Sequence, residues 1–193
     1  MPRHGAEPIR KAALINAAIA TVGRAGSLDV TVAQIAANAG MSSALAHHYF
    51  GSKDAIFLAA MRHILSGYRD AVRAALRGAE TPRARLNAII RASFDARNFA
   101  HDTVAAWLNF YALAQSNAAA ARLLAVYHAR LRSNLSEALR PLTPRPEAVA
   151  ETVGALIDGV YLRAALAPAP VNAAAAAALV TGYLDEVLGG GSA

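Results

Sequence analysis

Between residues 31 and 53 the chain reads TVAQIAANAGMSSALAHHYFGSK, and this stretch carries three helix starts and one left-handed stop. That crowding leaves room only for two brief helices joined by a tight turn. Thr31 and Gln34 have the Thr-x-x-Gln spacing of a capping box, in which each side chain reaches a backbone amide left unpaired at a helix start. A short helix is predicted from about residue 32 to 39. Gly40 follows as its stop, Met41 is an apolar plug, and Ser42 caps a second short helix running to Phe50. Ser52 then caps a long helix over residues 53–77, with Ile56, Ala60, Ile64 and Tyr68 along one face.

The rest of the chain shows no strand-like alternation bounded by turns, while helical spacing and helix formers run almost throughout. The sequence therefore predicts an all-α protein of about nine helices. Ile9, Leu14, Ala18, Ile19 and Val22 give the first helix an apolar face, and Gly23 with Gly26 is expected to end it near Ala25. Thr81-Pro82 starts another helix by cap and proline. Further helices are expected over residues 101–115, 118–139, 146–167 and 172–188, and the closing GGGSA is expected to fray. The alanine tract at 173–178 reads as a packing surface, because alanine has the best helix propensity and permits close helix approach.

Composition narrows the setting. With no cysteine among 193 residues the chain has neither a disulfide framework nor a thiolate metal site, which fits a reducing cytoplasm. The opening MPRHGAEPIRK has no apolar signal core, and no stretch approaches the ~20 apolar residues of a membrane span, so a soluble, cytoplasmic protein without membrane contact is expected. Residues 1–77 hold nine Lys/Arg against four Asp/Glu, while the remainder holds ten against nine. Nearly all of the +6 net charge thus lies in the first part of the chain, as it would if that part faced a polyanion; a merely basic surface gives the same count.

Two short helices around a glycine turn form a helix-turn-helix, whose second helix enters the DNA major groove. The start of that helix presents free amides and the positive end of a dipole to phosphate. Ser43 is placed to reach base edges or backbone, His47 and His48 can donate to phosphate oxygens, and Tyr49 can donate through its hydroxyl. Phe50 reads as an anchor to the core. Lys53 opens a helix, a poor place for a cation unless a phosphate lies nearby. The residues expected to face DNA are therefore Thr31, Gln34, Ser42, Ser43, Ala44, His47, His48, Tyr49 and Lys53. A His47–His48 metal pair is disfavoured, since adjacent helical residues do not share a face and no third ligand has suitable spacing. Enzyme motifs are absent too: no Gly-rich phosphate loop, nucleophile elbow or His-Glu-x-x-His occurs, and Ser42 with His47 has the wrong geometry for a nucleophile and its base. Neither a catalytic site nor a cofactor is expected.

TVAQIAANAGMSSALAHHYFGSKDAI resembles the DNA-binding segment of the TetR family of bacterial repressors. In that family a helix, Gly-apolar-Ser, a recognition helix ending in His-Tyr-Phe and a Ser-Lys start to the fourth helix recur together. The resemblance implies a homodimer whose two recognition helices address the halves of a palindromic double-stranded operator. It also implies a helix-turn-helix domain over residues 1–50 and an effector-binding and dimerisation domain over 51–193. The last two helices, 146–167 and 172–188, would pair with their symmetry mates, where Gly154, Gly159 and the alanine tract suit close packing.

In the second part, AAWLNFYALA sets Trp107, Phe110 and Tyr111 at i, i+3 and i+4, on one helix face. Eight of the twelve aromatic residues lie from Phe94 onward, and Tyr127 and Tyr161 are candidates to join this group in space. Asp158 and Tyr161 share a face of their own helix. Rings beside a carboxylate suit a quaternary ammonium ligand, which offers cation-π attraction and no hydrogen-bond donor on its nitrogen. The same stripe serves a hydrophobic core equally well, and Asp158 serves equally well as an arginine's partner. Nearly the whole chain resembles one choline-responsive branch of the family, the repressors of glycine betaine synthesis. The similar segments include PIRKAALINAAI, PRARLNAII, RLRSNLSEALR and LIDGVYLRAAL. That resemblance implies a small cationic effector, choline, held by Phe94, Trp107, Phe110, Tyr111, Tyr127, Asp158 and Tyr161. Tyr111 and Tyr161 stand where tryptophans are frequent in that branch, Tyr127 where an asparagine is, Ala46 where a larger apolar residue is and His47 where a serine is. A different ligand, such as a lipophilic cation, drug or metabolite, is the alternative.

Overall fold

The structure is a computed structural model that describes residues 6–97, 99–169 and 171–189. Among these, nine helices follow one another without a strand: α1 (Ala6–Ala25), α2 (Val32–Asn38), α3 (Ser43–Phe50), α4 (Lys53–Leu76), α5 (Pro82–Ser93), α6 (His101–Ser116), α7 (Ala118–Leu139), α8 (Pro146–Ala165) and α9 (Ala173–Gly189). The all-α expectation holds element by element. Of the closing GGGSA, Gly189 ends α9 and the other four residues lie outside the described ones.

The helix starts are made as their side chains dictate. Thr31 accepts from the Gln34 amide at 3.1 Å while the Thr31 amide donates to Gln34 Oε1 at 2.7 Å, completing the capping box. Ser42, Ser52 and Thr81 accept from Leu45, Ala55 and Ala84 amides at 3.1–3.2 Å. Gly40 has φ +67°, the left-handed conformation that a stop between α2 and α3 requires.

Helix α1 is the spine of the N-terminal part, packing against α2, α4 and α6. Leu14, Ala18 and Val22 are buried as its periodicity requires, but Ile9 is 71% exposed, because the first turns of α1 project past the helices that cover the rest. Thr21 lies inside this interface, donating to the Ala17 carbonyl at 2.6 Å and accepting from Asn38 Nδ2 at 2.7 Å, so a short polar chain fastens α2 to α1. Gly23 does not end the helix. It sits within α1 against the first turn of α6, where a Cβ would come within 2.6 Å of Asp102 backbone atoms, and the glycine is there for the close approach. Gly26, with φ +62°, provides the stop alone.

The remaining helices enclose a second apolar core. Helix α7 crosses α5, α6 and α8, with Leu131, Leu135 and Leu139 buried, and α9 lies along α5 and α8. Arg83 pairs with Asp185 to tie α5 to α9, and Arg85 lies 3.6 Å from Glu137 across α5 and α7. Helix α4 belongs to both regions, since it contacts α1 and α3 on one side and α5 and α7 on the other. Among the described residues no helix is long and apolar enough to cross a membrane.

Candidate nucleic-acid interface and effector pocket

Two sites follow from this packing, one on α3 and one among α6, α7 and α8. In α3 only Ala46 is fully buried, while Ala44, His47 and His48, at i, i+3 and i+4, form its exposed face. Phe50 is half-buried against the core, as an anchor should be. His47 Nδ1 lies 3.3 Å from the Gly51 carbonyl and closes the helix end, whereas the His48 ring leans on Tyr49 with centroids 5.5 Å apart. Thr31 and Gln34 are exposed but occupied with each other in the capping box. Ser42 and Ser43 stand at the start of α3.

Lys53 has partners within the protein. Its ammonium reaches the Leu28 carbonyl at 3.4 Å and lies 5.8 Å from the Phe57 ring centroid, so the protein itself compensates a cation at the start of α4 without a phosphate. Lys11 is a cation that the motif did not reveal. It pairs with Glu7 at 2.7 Å and sits 5.8 Å from the Tyr49 centroid, placing positive charge beside α3 from another helix. The N-terminal basic surplus was the only signal that could have found it.

In the second site Trp107 and Tyr111 of α6 meet edge to face at 5.5 Å, and Asp158, Gly159 and Tyr161 of α8 face them across a cavity of about 270 Å³. Val104, Leu108 and Leu162 complete the wall. The Asp158 carboxylate is asymmetric: Oδ2 lies 3.2 Å from His128 Nε2, whereas Oδ1 is buried with no hydrogen-bond partner among the described residues. The Tyr111 hydroxyl lies 3.4 Å from the same imidazole nitrogen. Burial, and then the negative charge of Asp158, holds the Tyr111 phenol above its ordinary ionisation range.

Beneath this cavity Trp107 also closes a smaller cell with Tyr68, Tyr127 and Tyr161, a void of about 20 Å³ that admits one water at most. Tyr127 lies edge to face with both Trp107, at 5.2 Å, and Tyr68, at 5.5 Å. Tyr127 thus packs on Trp107 but lines this smaller space and not the larger cavity. Phe94 and Phe110 line neither space. Phe110 is fully buried in the core, and Phe94 stacks on Tyr161 with Phe99 edge-on to both, so these rings support the wall and do not form it. Tyr161 is further pinned by its hydroxyl, which donates to the Ser93 carbonyl. Tyr68 and His128 were not singled out from sequence: Tyr68 reads as one more apolar position on α4, and His128 reaches Asp158 only through tertiary packing. Among the described residues no group of three or more potential ligands could hold a metal ion.

A capped helix pair on a basic N-terminal unit, joined to a larger helical part with a cavity between α6 and α8, defines a helix-turn-helix regulator. Residues 14–60 match the bacterial regulatory proteins of the tetR family, and residues 82–189 match the BetI-type transcriptional repressor C-terminal family. The chain is 53% identical over 192 residues to the HTH-type transcriptional regulator BetI of Brucella anthropi, covering 98% of this chain and 99% of that one. It is 48% identical over 190 residues to the regulator of the same name from Rhizobium meliloti, covering 97% and 94%. A transcriptional regulator from Saccharomonospora viridis, solved in complex with choline, superposes with a TM-score of 0.81 at 20% identity, covering 91% of this chain and 95% of the other, which speaks for the fold. The chain belongs to the TetR family of DNA-binding transcriptional repressors, and within it to the BetI type. It is a transcription regulator and not an enzyme.

Proposed function

We propose that this repressor acts in the cytoplasm and controls genes of choline uptake and glycine betaine synthesis, releasing its operator when choline or a related quaternary ammonium occupies the α6–α8 cavity. One observation carries the reading: Asp158, whose buried Oδ1 has no hydrogen-bond partner among the described residues, lines a cavity walled by Trp107, Tyr111 and Tyr161. A buried anionic oxygen left unpaired is costly. A cation that needs no hydrogen-bond acceptor at its nitrogen satisfies it electrostatically while its methyl groups contact the ring faces. The choline bound by the Saccharomonospora viridis regulator supports the same ligand class.

In this reading residues 1–50 bind DNA and residues 51–193 bind effector and dimerise through α8 and α9. Gly159 and Gly182 have open space where a Cβ would project, which supports close approach of a second copy there. The dimer sets its two α3 helices at the ~34–36 Å spacing of successive major grooves of a palindromic operator, and His48, Tyr49 and Ser43 contact its backbone and bases. Choline must bind the DNA-incompetent arrangement more tightly than the competent one, since a ligand of equal affinity for both shifts nothing.

Trp107 is the sole tryptophan, so a change in its fluorescence arises at this one position in the cavity wall. A saturable change is expected with choline and a weaker one with glycine betaine, whose own carboxylate is repelled by Asp158. None is expected with a neutral isostere. Asp158→Asn should weaken choline binding by about tenfold or more, the loss of a charged interaction of ~1.5–3 kcal/mol. Equal responses to choline and the neutral isostere would refute the cationic cage.

A further inference from the structure

On the face away from α8 and α9, helices α4 and α7 leave an open groove of about 530 Å³. Its floor is apolar, with Leu65, Val72, Leu123 and Val126 among the lining side chains, and Val126 is 49% exposed although it lies mid-helix. Its rim is cationic. Arg62, Arg69 and Arg73 line one wall from α4, spaced over about 16 Å of helix, and Arg130 lines the other from α7. Of these four arginines only Arg69 has an ion pair among the described residues, at 2.9 Å to Asp70, so the rim carries a surplus of guanidinium groups above a greasy floor. The Tyr68 ring adds to the groove wall, while its buried hydroxyl lies on the other side, toward Ser93.

We propose that the α4–α7 groove is a second effector site that binds an amphiphilic anion, an acyl chain carrying a carboxylate or phosphate head. The chain lies on the leucine and valine floor, the head meets the arginines, which recognise carboxylate and phosphate by paired N–H donors, and the size is that of a small-molecule site. The charge of this groove is opposite to that of the α6–α8 cavity, so the two favour ligands of opposite sign. Occupation would act on DNA binding directly, because α4 is the helix that contacts α1 and α3 at one end and α7 at the other. The site stands independently of the choline reading.

The test is calorimetric titration of the dimer with decanoate below its micelle concentration, with a decanoyl thioester of a phosphorylated carrier, with vesicles of an acidic phospholipid, and with decanol as the neutral control. Trp107 fluorescence is followed in parallel, since Trp107 touches Tyr127 of the groove wall. Saturable binding of at least one anion, about tenfold or more tighter than decanol, is expected, and the best of the three arms names the source of the head group. R73Q/R130Q, at two exposed positions, should abolish that preference while leaving choline titration and the melting temperature unchanged. Three outcomes would overturn the site: no anion binds, decanol binds equally well, or the double variant keeps the preference. Two others would reassign the arginines: weaker operator binding by R73Q/R130Q without ligand, to DNA, and a changed oligomeric state, to a contact between copies.

Discussion

The Tyr68 hydroxyl is buried without a hydrogen-bond partner among the described residues, and it shows how one side chain can be kept against the interests of the fold. Ser93, the hydroxyl nearest in chemistry, donates instead to the Ile89 carbonyl at 3.0 Å. Burial first, only partly opposed by Ser93, pushes the Tyr68 phenol up to about 12 from an ordinary 10.0. Because the folded state then holds this proton more tightly than the unfolded chain, the associated stability is intact below pH 10.0 and is lost as pH rises through about 12. Tyr111, Tyr127 and Tyr161 are pushed upward in the same direction, all chiefly by burial, so alkaline unfolding should be steep in this window. Tyr68→Phe removes the orphan hydroxyl and should raise stability by about 1 kcal/mol, read as a higher melting temperature, and it should lessen the alkaline loss. A lower melting temperature would mean that the hydroxyl has a partner after all.

At the scale of elements, the caps decide what forms. Thr31→Ala should cost about 1 kcal/mol, seen as faster amide exchange confined to α2 and as weaker operator binding without loss of the fold. Replacing His48 and Tyr49 with Ala and Phe should instead weaken operator binding with no change in melting temperature, because neither side chain caps a helix; unchanged affinity would remove both from the DNA contacts. These local devices are also why the elements were legible in advance. The capping box, Ser42, Ser52 and Thr81-Pro82 act within four residues, so their spacing states their outcome. What depended on distant partners was not legible. Phe94 and Phe110 carry the same aromatic signal as Trp107, and only the packing of α6 against α7 and α8 decides which ring faces a cavity and which fills the core. Gly23 has the composition of a stop and the position of a contact, and nothing within its own helix distinguishes the two. Lys53 looked misplaced until Leu28 and Phe57, remote in sequence or on the next turn, were seen to hold it.

At the scale of the molecule, the N-terminal unit is joined to the C-terminal helices chiefly by α1 on α6 and by the shared helix α4. Operator binding should fall steeply with rising salt, each neutralised phosphate contributing a slope of about −0.9 in log K against log salt, and a flat dependence would contradict binding through the basic surface. Gly23→Ala forces a methyl group onto the Asp102 backbone, so the junction must open. The expected cost is about 1–3 kcal/mol in thermal stability, with effector affinity far less affected than the coupling between effector and DNA.

That junction has a meaning for the cell that holds the protein. A backbone pressed this closely on another has little slack, so under the proposed function a shift of α6 beside the cavity would be passed to α1. Opening the contact would let each half settle by itself. At the promoter this would appear as leakiness: transcription without inducer, a shallower dose response and a smaller ratio between the induced and resting states. If the cavity takes an effector as proposed, a single hydrogen in place of a methyl group at Gly23, outside both candidate sites, would set how sharply the switch distinguishes on from off.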